Sequence, residues 1–422
     1  MPDFTLNHNI LKTSLITDTQ MAGQMSTKTS FESPLCNIKV LEVAQGVAGP
    51  HCGRLMAAMG AEVIKVELPS LGDWSRSIGP FLKEDNTSET SALFLYNNTN
   101  KQSITMDWRT HKGKKLLAEM VEEADIIITD WDVETRERHS LPKRIFGDPD
   151  HNAIHLSITP FGLTGPYARY KSTPIIQLAL GGYLYLTGEE NREPLMLPGY
   201  QPDYLAGLNG HNAVQIALWD REKTGQGSFL DMSIIETLVT LHQFTFEMYT
   251  YEGYVRKRHG NLWQKESSMA NYGITTIPCS DGHICFGVAT EDQWERLCLM
   301  LDREDLLSNP AFETRNDRRN HATYLDKVIT DWVGNKTRHE VLLETSDIWG
   351  LPTSPVLSLD EIMDDTQFKS RDFFNNVEHP IAGNAIHPSF PFVSKYITPK
   401  LAPAPTLGQH NHLYKRLRAQ ND

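Results

Sequence analysis

The residues able to do chemistry fall in a few places along the chain. Gly46-Val47-Ala48-Gly49-Pro50 stands between a short apolar run, Val40-Leu41-Glu42-Val43-Ala44, and a stretch carrying Leu55, Met56, Ala58 and Met59 at helical spacing. Glycines there let a ligand approach the main chain, and a helix start behind them offers free N–H groups to an anion or a carbonyl oxygen. The same glycines also fit a plain tight turn, and the loop alone leaves both readings open. Asp203 follows Pro202 at the start of a helical pattern over 204–222; taken alone, an Asp in that place is a good helix cap. His410-Asn411-His412 has two imidazoles without Cys or carboxylate company, a weak signal for metal, and His151 and His155 flank a strand pattern. The five cysteines, at 36, 52, 279, 285 and 298, lack CxxC spacing. That argues against a zinc ribbon or disulfide framework and for a reducing, cytoplasmic setting.

The elements that must position these groups alternate. Val40–Ala44 is strand-like, 52–59 helical, and Glu62-Val63-Ile64-Lys65-Val66-Glu67-Leu68 a strand rich in β-branched residues, which together make a βαβ unit with a right-handed crossover. Residues 91–96 suit a helix or a strand, 100–107 a strand, 111–123 an amphipathic helix, and 125–129 and 153–158 buried strands. The N-terminal part is therefore a doubly wound α/β domain with a parallel sheet. Helices are expected over 175–186 and 204–222, then a strand at 229–233 and a long helix through Met248. An irregular segment covers 249–271, and from Tyr272 the texture is a smaller α+β pattern with strands near 274–277 and 284–288 and helices over 291–301, 320–333 and 338–346. The expected division is a mobile extension at 1–36, a large domain at 37–248, a linker at 249–271, a small domain at 272–365 and a C-terminal return at 366–422.

A chain of 422 residues is ample for a large core, and a net charge of −13 speaks against a nucleic-acid partner, which needs a basic face. No apolar run is long enough to cross a bilayer, so no membrane role is expected. The first 36 residues are polar and lack the apolar core of a secretion signal.

From Val40 onward the sequence resembles the class III CoA-transferase family, the group of formyl-CoA transferase, carnitine CoA-transferase and α-methylacyl-CoA racemase. The likeness runs over about residues 37–418 and is carried by VLEVAQGVAGPHCGRLMAAMGAEVIKVE, GDWSR (72–76), NKQSITMD (100–107), FGLTGPY (161–167), DYLAGL (203–208), EKTGQGSFLDMSIIE (222–236), GLPTSPVLSLDEI (350–362) and LGQH (407–410), in order. The resemblance implies a Rossmann-like large domain and a small domain in two ring-shaped chains threaded through each other, as a homodimer or as a heteromer with a paralogous chain. It implies no tightly bound cofactor; coenzyme A and its acyl thioesters are substrates.

The resemblance also assigns roles. Asp203 is the nucleophile that attacks an acyl-CoA thioester, forms a mixed anhydride and then an aspartyl-CoA thioester, from which an acid acceptor takes CoA. The Ala48 N–H is placed to stabilise the developing oxyanion, with Val47 where formyl-CoA transferase has a Gln. Leu68 stands where many members carry an adenine-stacking Arg, leaving apolar contact in place of cation–π stacking. Met106 and Arg109 follow the NKQS strand, and Asp130-Trp131 replaces an Asn–aromatic pair. Arg109, Arg138 and Lys171 match basic positions that touch CoA phosphates.

Thr173 occupies the place of the racemase branch's His, so transfer is the better reading than racemisation. His259-Gly260-Asn261-Leu262-Trp263-Gln264 replaces a glycine run of formyl-CoA transferase and follows Phe244, Phe246, Tyr249, Tyr251 and Tyr254. Those aromatics either pack the linker or point to an acid larger than formate or oxalate, aromatic or dicarboxylic. A non-catalytic subunit of a heteromeric transferase is the alternative function. A nicotinamide dehydrogenase is weaker, because Gly46-x-x-Gly49-x-x-x-Gly53 is not GxGxxG, although Glu67 has a suitable spacing.

Overall fold

The computed structural model describes residues 32–82, 87–141, 152–260 and 272–414. Its centre is a six-stranded sheet of β1 (Lys39–Glu42), β2 (Glu62–Glu67), β3 (Gln102–Thr105), β4 (Ile126–Thr129), β5 (Ile154–Thr159) and β6 (Phe229–Ser233), in the order β3-β2-β1-β4-β5-β6. Every pairing is parallel. A parallel sheet is stable only when both faces are covered, and these strands read accordingly. In β4, Ile126 and Ile128 face one core and Ile127 the other, all three with no more than 1% exposure. Each such Ile contributes about 1.5–3 kcal/mol by leaving water.

The helices that cover the sheet follow from the periodicity between strands. They are α1 (Ala48–Ala58), α2 (Ala92–Asn97), α3 (His111–Glu122), α4 (Val133–His139), α5 (Pro174–Leu180), α6 (Tyr183–Leu186), α7 (Gln201–Thr224), α8 (Ile234–Thr240) and α9 (Gln243–Glu252). One face of the sheet packs on α1 and α7 through Cys52, Met56, Ala206 and Val214; the other packs on α3 through Leu116, Leu117, Met120 and Val121. The strand order reverses between β1 and β4, and a crevice opens outside the carboxyl ends of these strands, where open α/β sheets bind ligands. A separate core lies within residues 272–351, under an antiparallel sheet of β7 (Ile274–Cys279), β8 (Gly282–Gly287) and β9 (Thr353–Pro355), with helices at Glu291–Met300 and Ala322–Val333. The C-terminal stretch returns along β3: the Gly408 amide donates to Ser103 Oγ at 2.9 Å and the His410 amide to the Ser103 carbonyl at 2.9 Å.

Several expectations need correction. The helix expected over 175–186 is two, α5 and α6, broken at Gly181-Gly182. The long helix through Met248 is also two, α8 and α9, separated at Leu241-His242. The two breaks meet: His242 Nε2 hydrogen-bonds the Gly181 carbonyl at 2.7 Å, which ties the end of α5 to the gap between α8 and α9. Residues 249–252 continue α9 and are not irregular. The hairpin of β10 (Phe374–His379) and β11 (Gly383–Pro388) was not anticipated, because its alternation is masked: His379 and His387 take buried positions while Ile386 is exposed. Residues 1–31, 83–86, 142–151, 261–271 and 415–422 lie outside the described residues, and with them most of the expected extension, His151, the end of the expected linker and its Asn261-Leu262-Trp263-Gln264 stretch. Among the described residues no helix is long and apolar enough to cross a membrane.

Candidate active site

A cleft of about 510 Å³ lies at the carboxyl edge of the sheet and gathers Gln45, Val47, Ala48, Asp130, Lys171 and Asp203, with Trp74, Thr159, Gln177 and Tyr200 among its other walls. Its floor is built from the loop after β1. Val47 precedes α1 and makes no side-chain cap, Pro50 has no N–H to offer, and no acidic side chain stands in the first turn. The positive end of α1, starting at Ala48, therefore faces the cleft.

Buried charges hold that loop. The Gly46 amide donates to Asp73 Oδ1 and Oδ2 at 2.9 and 3.0 Å, and the Gln45 amide donates to Asp130 Oδ2 at 2.9 Å. Gly46 has φ of +78°, and a Cβ on it would stand 2.0 Å from the Trp74 ring, so no other residue fits there. Asp73 is itself bound to Lys65 Nζ at 2.7 Å, Lys65 to Glu42 at 3.0 Å, and Glu42 to Lys101 at 2.8 Å, all with side chains out of solvent. Burial alone would lower the Lys65 ammonium's pKa; Asp73, and then Glu42, outweigh it and hold it above its ordinary value. On the neighbouring strand Glu67 takes Arg76 on both oxygens, at 2.7 and 2.9 Å, and Ser103 Oγ at 2.6 Å. GDWSR and NKQS thus supply the bracing beneath the loop. The signal that could have shown this is the set of charged residues, Glu42, Lys65 and Glu67, inside buried strands.

Asp203 comes from the other wall. It is the third residue of α7 and not its cap, since the helix begins at Gln201 after Tyr200. Pro202 at the second helical position explains the early start, because its missing N–H is one the first turn leaves unpaired anyway. Asp203 is half-buried and lines the cleft, and its Oδ2 is closed off from solvent without a hydrogen-bond partner. Burial pushes its carboxyl up to about 6, with its own backbone N–H opposing. Burial likewise pushes Asp130 up to about 7, against the Gln45 N–H. The cleft therefore holds two carboxyl groups that titrate near neutrality, facing the amide end of a helix. Such a site can receive an acyl carbonyl on the amides and attack its carbon with a carboxylate.

The remaining expected site residues are spread out. Leu68 is half-buried against the core on the α3 face of the sheet. Met106 and Trp131 have buried side chains in that same core, Trp131 with its ring 4.8 Å from Trp108. Arg109 is exposed and held by Asp107 at 2.8 Å, and Arg138 is exposed and paired with Glu134. Lys171 lines the cleft but is 72% exposed, bound to Asp132 at 2.9 Å and Glu134 at 2.8 Å. Exposed pairs of this kind are worth about 0–1 kcal/mol, so a phosphate could displace the carboxylates at small cost. The sequence reasoning did not single out Gln45, Thr159, Gln177 or Tyr200; only their position at strand and helix ends marks them. His410 Nδ1 accepts the Ser103 amide at 3.1 Å, a structural bond. Among the described residues no group of three metal-binding side chains occurs.

Comparison with known proteins gives the family. A sequence profile described as CoA-transferase family III matches residues 35–411. A succinyl-CoA–D-citramalate CoA-transferase of Chloroflexus aurantiacus is 29% identical over 388 residues, 90% of this chain and 92% of that protein. A succinyl-CoA–L-malate CoA-transferase alpha subunit of the same species is 28% identical over 375 residues, 88% of this chain and 84% of that protein. The crystal structure of a CAIB/BAIF family protein from Brucella suis superposes with a TM-score of 0.78 at 29% identity, covering 93% of this chain and all of that one.

Proposed function

The chain belongs to CoA-transferase family III, and we propose that it moves coenzyme A from an acyl-CoA donor to a carboxylic acid through covalent intermediates on Asp203. The Asp203 carboxylate attacks the thioester carbonyl, and the oxyanion forms against the Ala48 amide. Collapse expels CoA thiolate and leaves an aspartyl–acyl mixed anhydride. The thiolate then attacks the Asp203 carbonyl carbon, releases the donor acid and leaves an aspartyl-CoA thioester. The acceptor carboxylate repeats the two steps in reverse. Each step exchanges one activated acyl bond for another, so little free energy is lost provided water stays out. The observation that carries this reading is the unpartnered Asp203 Oδ2 in the same cleft as the uncapped start of α1.

CoA would lie with its phosphates toward Lys171 and Arg138 and its thioester at Ala48, with Val47 and Asp130 beside it. For Leu68, Met106 and Trp131 the available contacts are through main chain or the sheet edge, and Arg109 would have to leave Asp107. Threaded rings of two such chains remain our reading of the assembly. A paralogous partner is a second form of it, supported by relatives named as alpha and beta subunits. If this chain were the non-catalytic partner, Asp203 would not be acylated. Thr173 lines the cleft where a racemase would need a base and offers none, so proton shuttling is disfavoured. Intact-mass analysis after incubation with a panel of acyl-CoA thioesters tests the proposal. The expected result is an acyl or CoA adduct, sensitive to hydroxylamine and absent from Asp203→Ala; a wild-type chain that gains no mass with any thioester overturns it.

A further inference from the structure

Two polar side chains of the cleft have no task in that reaction. Thr159 is the last residue of β5 and Gln177 lies one turn into α5, so they arrive from different elements. Both line the cleft with Asp203, and they are 2% and 3% exposed. Thr159 Oγ1 and Gln177 Oε1 are each closed off from solvent without a hydrogen-bond partner. A Thr hydroxyl donates or accepts and an amide oxygen accepts, so the pair is complementary to one neutral group that can do both. A hydroxyl is that group.

The charges of the cleft point the same way. Among the described residues its charged walls are Asp130, Asp132, Asp203 and Lys171. Lys171 stands at the exposed mouth and is already held by Asp132 and Glu134. With Lys171 taken by a CoA phosphate, as proposed above, a second carboxylate reaching past Asp203 would meet acids, whereas a hydroxyl would meet Thr159 and Gln177. With the CoA phosphates at exposed Lys171, as proposed above, the pantetheine arm would enter from that side and leave the buried wall to the substituents of an acceptor whose carboxylate reaches the Asp203 carbonyl carbon.

We propose that Thr159 and Gln177 form an acceptor subsite that selects carboxylic acids carrying a hydroxyl group close to the carboxylate. The proposal rests on Asp203 being the acylated residue. A site built to hydrogen-bond a hydroxyl rejects the analogue lacking it strongly, because its buried polar groups are then left unpaired.

The test is kcat/KM for matched acceptors, lactate against propionate, 3-hydroxybutyrate against butyrate and malate against succinate, with one acyl-CoA donor. Wild type, Gln177→Met and Thr159→Val are compared, with unfolding midpoints to confirm that each volume-conserving variant is folded. The expected result is a wild-type preference of tenfold or more for a hydroxylated member over its partner. That preference falls toward unity in each variant, mainly through the hydroxy acid, while the KM for acyl-CoA and the Asp203 adduct stay as in wild type. No hydroxyl preference in wild type overturns the proposal. So does an equal loss for all acceptors with a raised acyl-CoA KM, which would mean that the pair binds a pantetheine amide. Absence of any adduct in wild type would instead remove the Asp203 reading itself.

Discussion

Gly207 lies against the Ala48 carbonyl so closely that a Cβ on it would stand 2.6 Å from that oxygen and 3.0 Å from the His51 Cβ. Gly207 is one turn beyond Asp203 on α7, and positions four apart share a helix face. The missing side chain therefore sets how near the start of α1, with its free amides, comes to the carboxylate. Gly207→Ala must push backbone away from backbone. The expected cost is about 1–3 kcal/mol of stability. A displacement near 1 Å at the site would lower kcat on the order of 100-fold with little change in the KM for acyl-CoA. Steady-state kinetics beside urea unfolding reads both; unchanged kcat would mean that the helix separation is not what aligns the site.

Asp73 acts one layer further out. It fixes the Gly46 amide and neutralises Lys65 at 2.7 Å where neither side chain sees solvent. Asp73→Ala leaves a buried ammonium short of a partner, and such losses cost about 3–5 kcal/mol. The loop is released as well, so the variant should unfold at much lower urea and turn over slowly even where it is folded. Asp73→Glu, which keeps the charge in a longer side chain, should recover stability more than kcat.

Lys171 and Arg138 should report on the CoA phosphates. Changing either to Glu puts a like charge beside Glu134, and at Lys171 beside Asp132 as well, and removes a cation. The KM for acyl-CoA is expected to rise about tenfold, the equivalent of one charge-assisted bond near 1.4 kcal/mol, and the KM for the acid acceptor to stay put. Added salt should narrow the gap between wild type and variants. Unchanged CoA affinity in both would count against a phosphate role.

These predictions differ in how much of them the sequence could supply. The strands were legible because Ile126-Ile127-Ile128 is a continuous apolar run and Ile154, Leu156 and Ile158 recur at every second position, and β1 with α1 because a glycine loop separates two clear periods. Asp203 was legible only through resemblance, since an Asp beside Pro202 reads locally as a cap; the helix in fact starts at Gln201. The braces on Asp73 and Glu67 could not be read, because hydrogen bonds across 27 or 36 residues leave no periodic trace. Thr159 and Gln177 were invisible for a related reason: nothing in the local pattern separates a buried Thr that caps a strand from one that waits for a ligand.

The pH dependence follows from the burial of Asp203. Its pKa climbs from an ordinary 3.8 to about 6 in the folded chain, so burial favours the neutral carboxyl while the proposed attack needs the carboxylate. kcat/KM should rise about tenfold per pH unit up to about 6 and level off above it, and a flat profile from pH 5 to 8 would exclude Asp203 as the ionising nucleophile. Asp130, pushed up to about 7, adds a second inflection that Asp130→Asn should erase without removing the first. Stability runs the other way. A carboxyl whose pKa is higher in the folded than in the unfolded chain is fully compatible with folding below pH 3.8 and costs stability as pH rises through 6. At 1.36 kcal/mol per tenfold change in proton affinity, the penalty reaches about 3 kcal/mol at pH 7, and less in so far as solvent in the cleft screens the charge. Asp203→Asn should therefore lose turnover and unfold at higher urea than wild type at pH 7.5, with the two curves converging near pH 4. Those two outcomes together would mark Asp203 as a residue held for its chemistry and not for the fold.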